Sequence, residues 1–77
     1  MVLVNQRRDY FVNTNKILAI VVRTVGSKHF IVADMGNNKE ISLGFYASKE
    51  KAQEITKRII ENNYSESTTY FLPKENE

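Results

Sequence analysis

Few side chains in this chain could do chemistry, and their spacing gives them little to work with. His29 is the single imidazole and there is no cysteine, so a zinc or copper site, which needs several His or Cys ligands, has almost no material. Nucleophilic catalysis needs a serine or threonine beside a base, and the base would be His29. On an extended strand Asp34 falls on the opposite face from His29, which argues against a triad. Glu50 and Glu54 could act as paired carboxylates, but their four-residue spacing puts them on the outer face of a helix, where a solvated charged surface is the simpler account. Gly26, Gly36 and Gly44 are scattered, whereas a phosphate-cradling loop needs glycines clustered where a strand turns into a helix. No catalytic residue, cofactor or metal is indicated, and the chain reads as a non-enzyme.

Two groups have the composition of binding surfaces. Arg7, Arg8, Arg23 and Lys28, near Tyr10 and His29, could hold phosphates and stack bases. The plainer reading makes Arg7 and Arg8 a charged break between strands, and Arg23 and Lys28 the solubilising ends of a hairpin. The eight aromatic residues are many for so small a core. Tyr10, Tyr46 and Tyr70 combine a ring with a polar tip, as interface anchors do, although they would equally suit the edge of a core with their hydroxyls in water.

The elements that must position these groups follow from hydrophobic periodicity. Met1 to Val4 and Tyr10-Phe11-Val12 are short β-rich runs, and Asn13-Thr14-Asn15 favours a turn. Lys16 to Val25 reads as a strand with Leu18, Ile20 and Val22 on one face and Ile17, Ala19, Val21 and Val25 on the other. Apolar on both faces, it is expected to be the central strand, covered on both sides by the chain's own ends or by another subunit. Gly26-Ser27 suits a two-residue type II′ turn into Lys28 to Met35, and Gly36-Asn37-Asn38 turns the chain into Lys39 to Tyr46. That last strand is expected to point Ile41, Leu43 and Phe45 inward and Glu40, Ser42, Gly44 and Tyr46 outward. Ser48 is the expected N-cap of an amphipathic helix to about Asn63, with Ala52, Ile55, Ile59 and Ile60 on its buried side. Asn62-Asn63 would end the helix and Ser65-Glu66-Ser67 link it onward. Thr68 to Leu72 reads as a final strand before Pro73.

At 77 residues the chain has room for one domain. Residues 1–73 are expected to form it, with 74–77 a frayed tail. The longest apolar run, Ile17 to Val22, is far too short to cross a bilayer, and no secretory pattern opens the sequence, so the mature chain is expected to start at or near Met1. A reducing cytoplasm suits a chain without cysteine. The net charge of +2 demands no polyanion, although residues 1–46 hold six basic against three acidic side chains.

The run Leu43-Gly44-Phe45-Tyr46 entering Ser48-Lys49-Glu50-Lys51-Ala52, with the opening Val4-Asn5-Gln6, Asn13 near a turn, and an aromatic strand ending in Pro73, is similar to a group of small uncharacterised proteins from Firmicute bacteria and their phages. The resemblance implies a β-meander followed by one amphipathic helix, and it implies no activity. The expected fold is therefore α+β: an antiparallel sheet of about five strands, one C-terminal helix packed on it, and a short final strand. A small pleckstrin-like half barrel is the alternative. The expected role is a small interaction module, a homodimer that also binds a protein partner, using the face of Ile17, Ala19 and Val21 with Tyr10, Tyr46 and Tyr70, or an exposed sheet edge. Nucleic-acid binding by the basic amino-terminal half is the alternative.

Overall fold

The computed structural model describes residues 1–62 and 68–76. It is α+β, with β1 (Val2–Val4), β2 (Phe11–Asn13), a short 3-10 turn (Thr14–Lys16), β3 (Ala19–Val25), β4 (Lys28–Gly36), β5 (Lys39–Tyr46), α1 (Lys49–Asn62) and β6 (Thr69–Phe71). In place of one sheet of about five strands there are two three-stranded sheets, ordered β2-β1-β6 and β3-β4-β5. In the first, β2 runs antiparallel and β6 parallel to β1. The second is an antiparallel meander. The chain leaves the first sheet for the second through the 3-10 turn between β2 and β3.

The two hairpin turns of the meander follow from local chemistry. Gly26 has φ 62°, with Val25 paired to Lys28, as a type II′ turn requires at its first central position. Asn37 and Asn38 have φ 55° and 62°, the left-handed pair of a type I′ turn, a region that asparagine tolerates better than most residues. Ser48 caps α1: the Lys51 amide donates to its Oγ at 3.2 Å, and the Ala52 amide donates to its carbonyl.

One core joins both sheets and the helix. Leu3 and Val12 come from the small sheet, Ile31, Ala33, Leu43 and Tyr46 from the meander, and Ala52, Ile55 and Ile59 from α1, with Met1 and Leu72 at the ends. Ile60, expected on the buried side of α1, is 69% exposed. It falls just outside the stripe that Ala52, Ile55 and Ile59 form.

Three further expectations are corrected. The strand around residue 20 is an edge and not the centre of its sheet. The central strand is β4, where Ile31, Val32 and Ala33 are buried in succession, as suits a strand with neighbours on both sides. β3 also begins later than expected, because Asn13 accepts from the Asn15 amide and starts the 3-10 turn, and because Leu18 and Ala19 both stand opposite Asp34 in a bulge. Finally, the facing of Phe45 and Tyr46 is reversed. Ile31 pairs with Gly44 but Val32 pairs with Ser42, so Leu43 is an extra residue in β5. One inserted residue moves every later side chain to the other face, which sends Tyr46 inward and Phe45 outward. Tyr46 is fully buried and its hydroxyl donates to the Pro73 carbonyl at 2.7 Å.

The tail is held as far as Glu75. Lys51 Nζ donates to the Glu75 carbonyl at 2.6 Å, and the Glu75 carboxylate accepts from the Ala47 amide at 2.8 Å.

Candidate functional site

The candidate site is built from the two edges of the meander, which the chain treats differently. The β5 edge is closed by the segment that follows β1. The Gln6 amide N–H donates to the Leu43 carbonyl at 2.8 Å, the Gln6 side-chain NH₂ donates to the Phe45 carbonyl at 2.8 Å, and the Phe45 N–H donates to Gln6 Oε1 at 3.0 Å. A primary amide can present a donor and an acceptor together, so one side chain does for Phe45 what a further strand would do. The close approach depends on Gly44, where an added Cβ would lie 2.8 Å from Gln6 Cβ. Asn5 shapes the same turn: its Oδ1 accepts from the Asp9 and Tyr10 amides, and its Nδ2 donates to Asp9 at 2.8 Å. Sequence reasoning missed both amides. The available signal was the Asn5-Gln6 pair directly after an apolar run, and the structure buries both residues.

The β3 edge is open. Among the described residues, β4 is its single ladder partner. Since the backbone of Phe45 is turned to Gln6, Phe30 and Phe45 form a non-hydrogen-bonded pair, and alternation along the ladder then turns the N–H and C=O groups of Ile20, Val22 and Thr24 away from β4. Where β3 begins, an open groove of about 210 Å³ runs between the strand and α1, lined by Ile17, Leu18, Ala19, Ile20, Ile59 and Ile60 with Thr14. Leu18 is 75% exposed at its lip, across from Ile60.

The other expected interface residues divide. Ile17 packs partly against the core and so leaves the face it was grouped with, while Ala19 is exposed and Val21 half-buried on the outer face of the meander. Tyr10 is exposed in the turn before β2. Tyr46 is a core residue. Tyr70 is half-buried against the core, and burial pushes its phenol above the usual tyrosine range.

The expected anion-binding residues do not form one cluster. Arg8 donates to the Leu72 carbonyl and lies over the Phe71 ring at 5.2 Å, on the small sheet. Arg7 faces Asp9 at 3.6 Å on an exposed turn. Arg23 reaches across β4 to pair with Glu40 of β5. Lys28 Nζ stands over the Phe45 ring at 5.0 Å. His29 Nδ1 lies 2.9 Å from Thr24 Oγ1, across the β3–β4 ladder. Among the described residues no group of His, Asp or Glu has the arrangement of a metal site, and no helix is long and apolar enough to cross a membrane.

Among the described residues the meander thus has its β3 edge open beside an apolar groove. Comparison with protein-family profiles, with curated proteins and with solved structures gives no match to this chain.

Proposed function

We propose that this protein is a non-enzymatic interaction module of the cytoplasm that pairs with a second copy of itself along the open edge of β3. The observation that carries the reading is that seven-residue strand, Ala-Ile-Val-Val-Arg-Thr-Val, with no proline, no lysine and one arginine that is already paired. Natural edges are blunted by charge, proline, shortness or cover, and a long apolar edge left open is a template for another strand. The small sheet shows the contrast, since its edge strands β2 and β6 have three residues each.

An antiparallel pairing centred on Val22 is self-complementary. Val22 meets its own counterpart and Ile20 meets Thr24, so the outward backbone groups of each copy are matched by those of the other about a twofold axis. Val25, 66% exposed, comes to lie beside Ala19 of the second copy. The groove between β3 and α1, with Leu18 and Ile60 at its lips, adds apolar surface to the same interface or receives a protein partner.

Light scattering at about 20 μM tests this, a concentration at which micromolar association is populated. Twice the chain mass of 8.9 kDa is expected for the native protein, and the single mass for Ala19→Glu and Thr24→Pro. A native protein of single mass at this concentration removes the reading.

A further inference from the structure

The outer face of the meander carries a second surface, distinct from the β3 edge. Phe30 and Phe45 sit side by side there, ring centroids 5.7 Å apart and tilted by 44°. Their closeness follows from the non-hydrogen-bonded register, in which facing side chains approach most nearly. Phe45 is on this face only because of the bulge at Leu43, and 44% of it is exposed. An outward phenylalanine pair is unusual on a small sheet, where the solvent face is ordinarily polar.

The charges on this face are sorted along it. Lys28 and Arg23 flank the two rings at the Gly26-Ser27 end, while Asp34 and Glu40 lie toward the Asn37-Asn38 end. Arg23 is neutralised by Glu40, and the Asp34 carboxylate accepts from the Gly36 amide at 2.9 Å. On the other side of Phe45 a cleft of about 230 Å³ is lined by Gln6, Arg7, Ser42 and Gly44. The rings therefore have a cation on either side: Lys28 over Phe45, and Arg7 at the rim of the cleft, its side chain 83% exposed despite the nearby Asp9.

We propose that this face binds single-stranded nucleic acid, with a base stacked on the exposed ring of Phe45, Phe30 supporting it from the side, and backbone phosphates held by Lys28 and Arg7. Stacking on an exposed ring tolerates any base, and cations flanking the rings suit a chain whose charges alternate with its bases. Stacking on a ring needs a base whose face is free, which a single strand offers and a duplex does not. Arg8, although basic, belongs to the small sheet and takes no part.

The test is fluorescence anisotropy of labelled (dT)12 and (U)12, titrated with the full chain at roughly 50 and 200 mM salt. Two phosphate contacts to a single strand predict an affinity loss of roughly sevenfold between those conditions. Phe45→Ala is expected to weaken binding at least about tenfold. Lys28→Glu, on an exposed hairpin, abolishes binding while leaving the thermal unfolding curve in place, which keeps the test decisive should Phe45→Ala fold poorly. Lys57→Glu makes the same charge change on the exposed side of α1 and leaves binding intact. The proposal is overturned by no anisotropy change with about 100 μM protein at low salt, by binding indifferent to Lys28→Glu, or by equal losses for Lys28→Glu and Lys57→Glu, which would mark diffuse attraction to charge.

Discussion

The two edges of the meander hold the same kind of backbone groups and meet opposite fates. At β5, Gln6 closes the edge from within the chain, with Gly44 making room for it. At β3 no described residue does the same, and the strand there is apolar, unbroken by proline and bordered by an exposed leucine and isoleucine. A long apolar edge without proline or an unpaired charge is a template for another strand, and the proposed pairing rests on this difference between the two edges. Substitutions at the two edges should accordingly fail in different ways, the closed edge through stability and the open one through association.

The largest effect belongs to Gly44→Ala. The new methyl must displace Gln6 from β5, with the cost of overpacking and of lost bonds together, about 3 kcal/mol in chemical denaturation. Gln6→Ala removes the amide but leaves the backbone where it is, and two groups of Phe45 lose their partner, so about 2 kcal/mol is expected by the same measurement. Should both variants unfold like the native protein, the β5 edge is not closed in the way described. Ser48→Ala, at the N-cap of the helix that packs on the meander, should cost about 1 kcal/mol and leave the mass in solution unchanged. On the open edge, Leu18→Glu should shift the stability of the single subunit by less than about 0.5 kcal/mol, as befits an exposed side chain, while lowering the mass seen by light scattering.

The smallest effect is a pH dependence. The Glu50 carboxyl is held below its ordinary value of 4.5, first by its own backbone N–H and then by the Ser48 hydroxyl. Its folded value lies below its unfolded one, so the stability it contributes is present above pH 4.5 and disappears as pH falls through the folded value. Glu50→Gln should flatten that part of the acid limb of an unfolding titration, leaving the variant slightly less stable than the native protein at neutral pH and equal to it at low pH.

Local features were legible in the sequence, and distant ones were not. The turns at Gly26-Ser27 and Gly36-Asn37-Asn38 and the Ser48 cap depend on residues close by in the chain, and each was readable from them. The helix stripe was readable to within one residue, Ile60. Strand partnership is a different matter. The apolar run from Ile17 to Val22 suits a central strand as well as an edge meant for company, and nothing within it distinguishes the two. The inversion of Phe45 and Tyr46 turns on one extra residue at Leu43, on a β5 whose far side is held by Gln6, a residue 39 positions from Phe45. With it the candidate surfaces changed: Tyr46 left the interface for the core, and Phe45, expected inside, became the exposed ring between Lys28 and Arg7. The acidic partners of Arg23 and Arg7 were visible as residue types, but only the fold brings Glu40 across two strands to Arg23.

Amide hydrogen exchange, followed as a function of protein concentration, tests the contrast between the edges most directly. The Phe45 amide should be protected at every concentration, because its partner is Gln6 of the same chain, whereas the amides of Ile20, Val22 and Thr24 should exchange freely in dilute protein and become protected as the concentration rises. If those three amides exchange freely throughout, or are already protected in the single subunit, β3 is not the edge through which two copies meet.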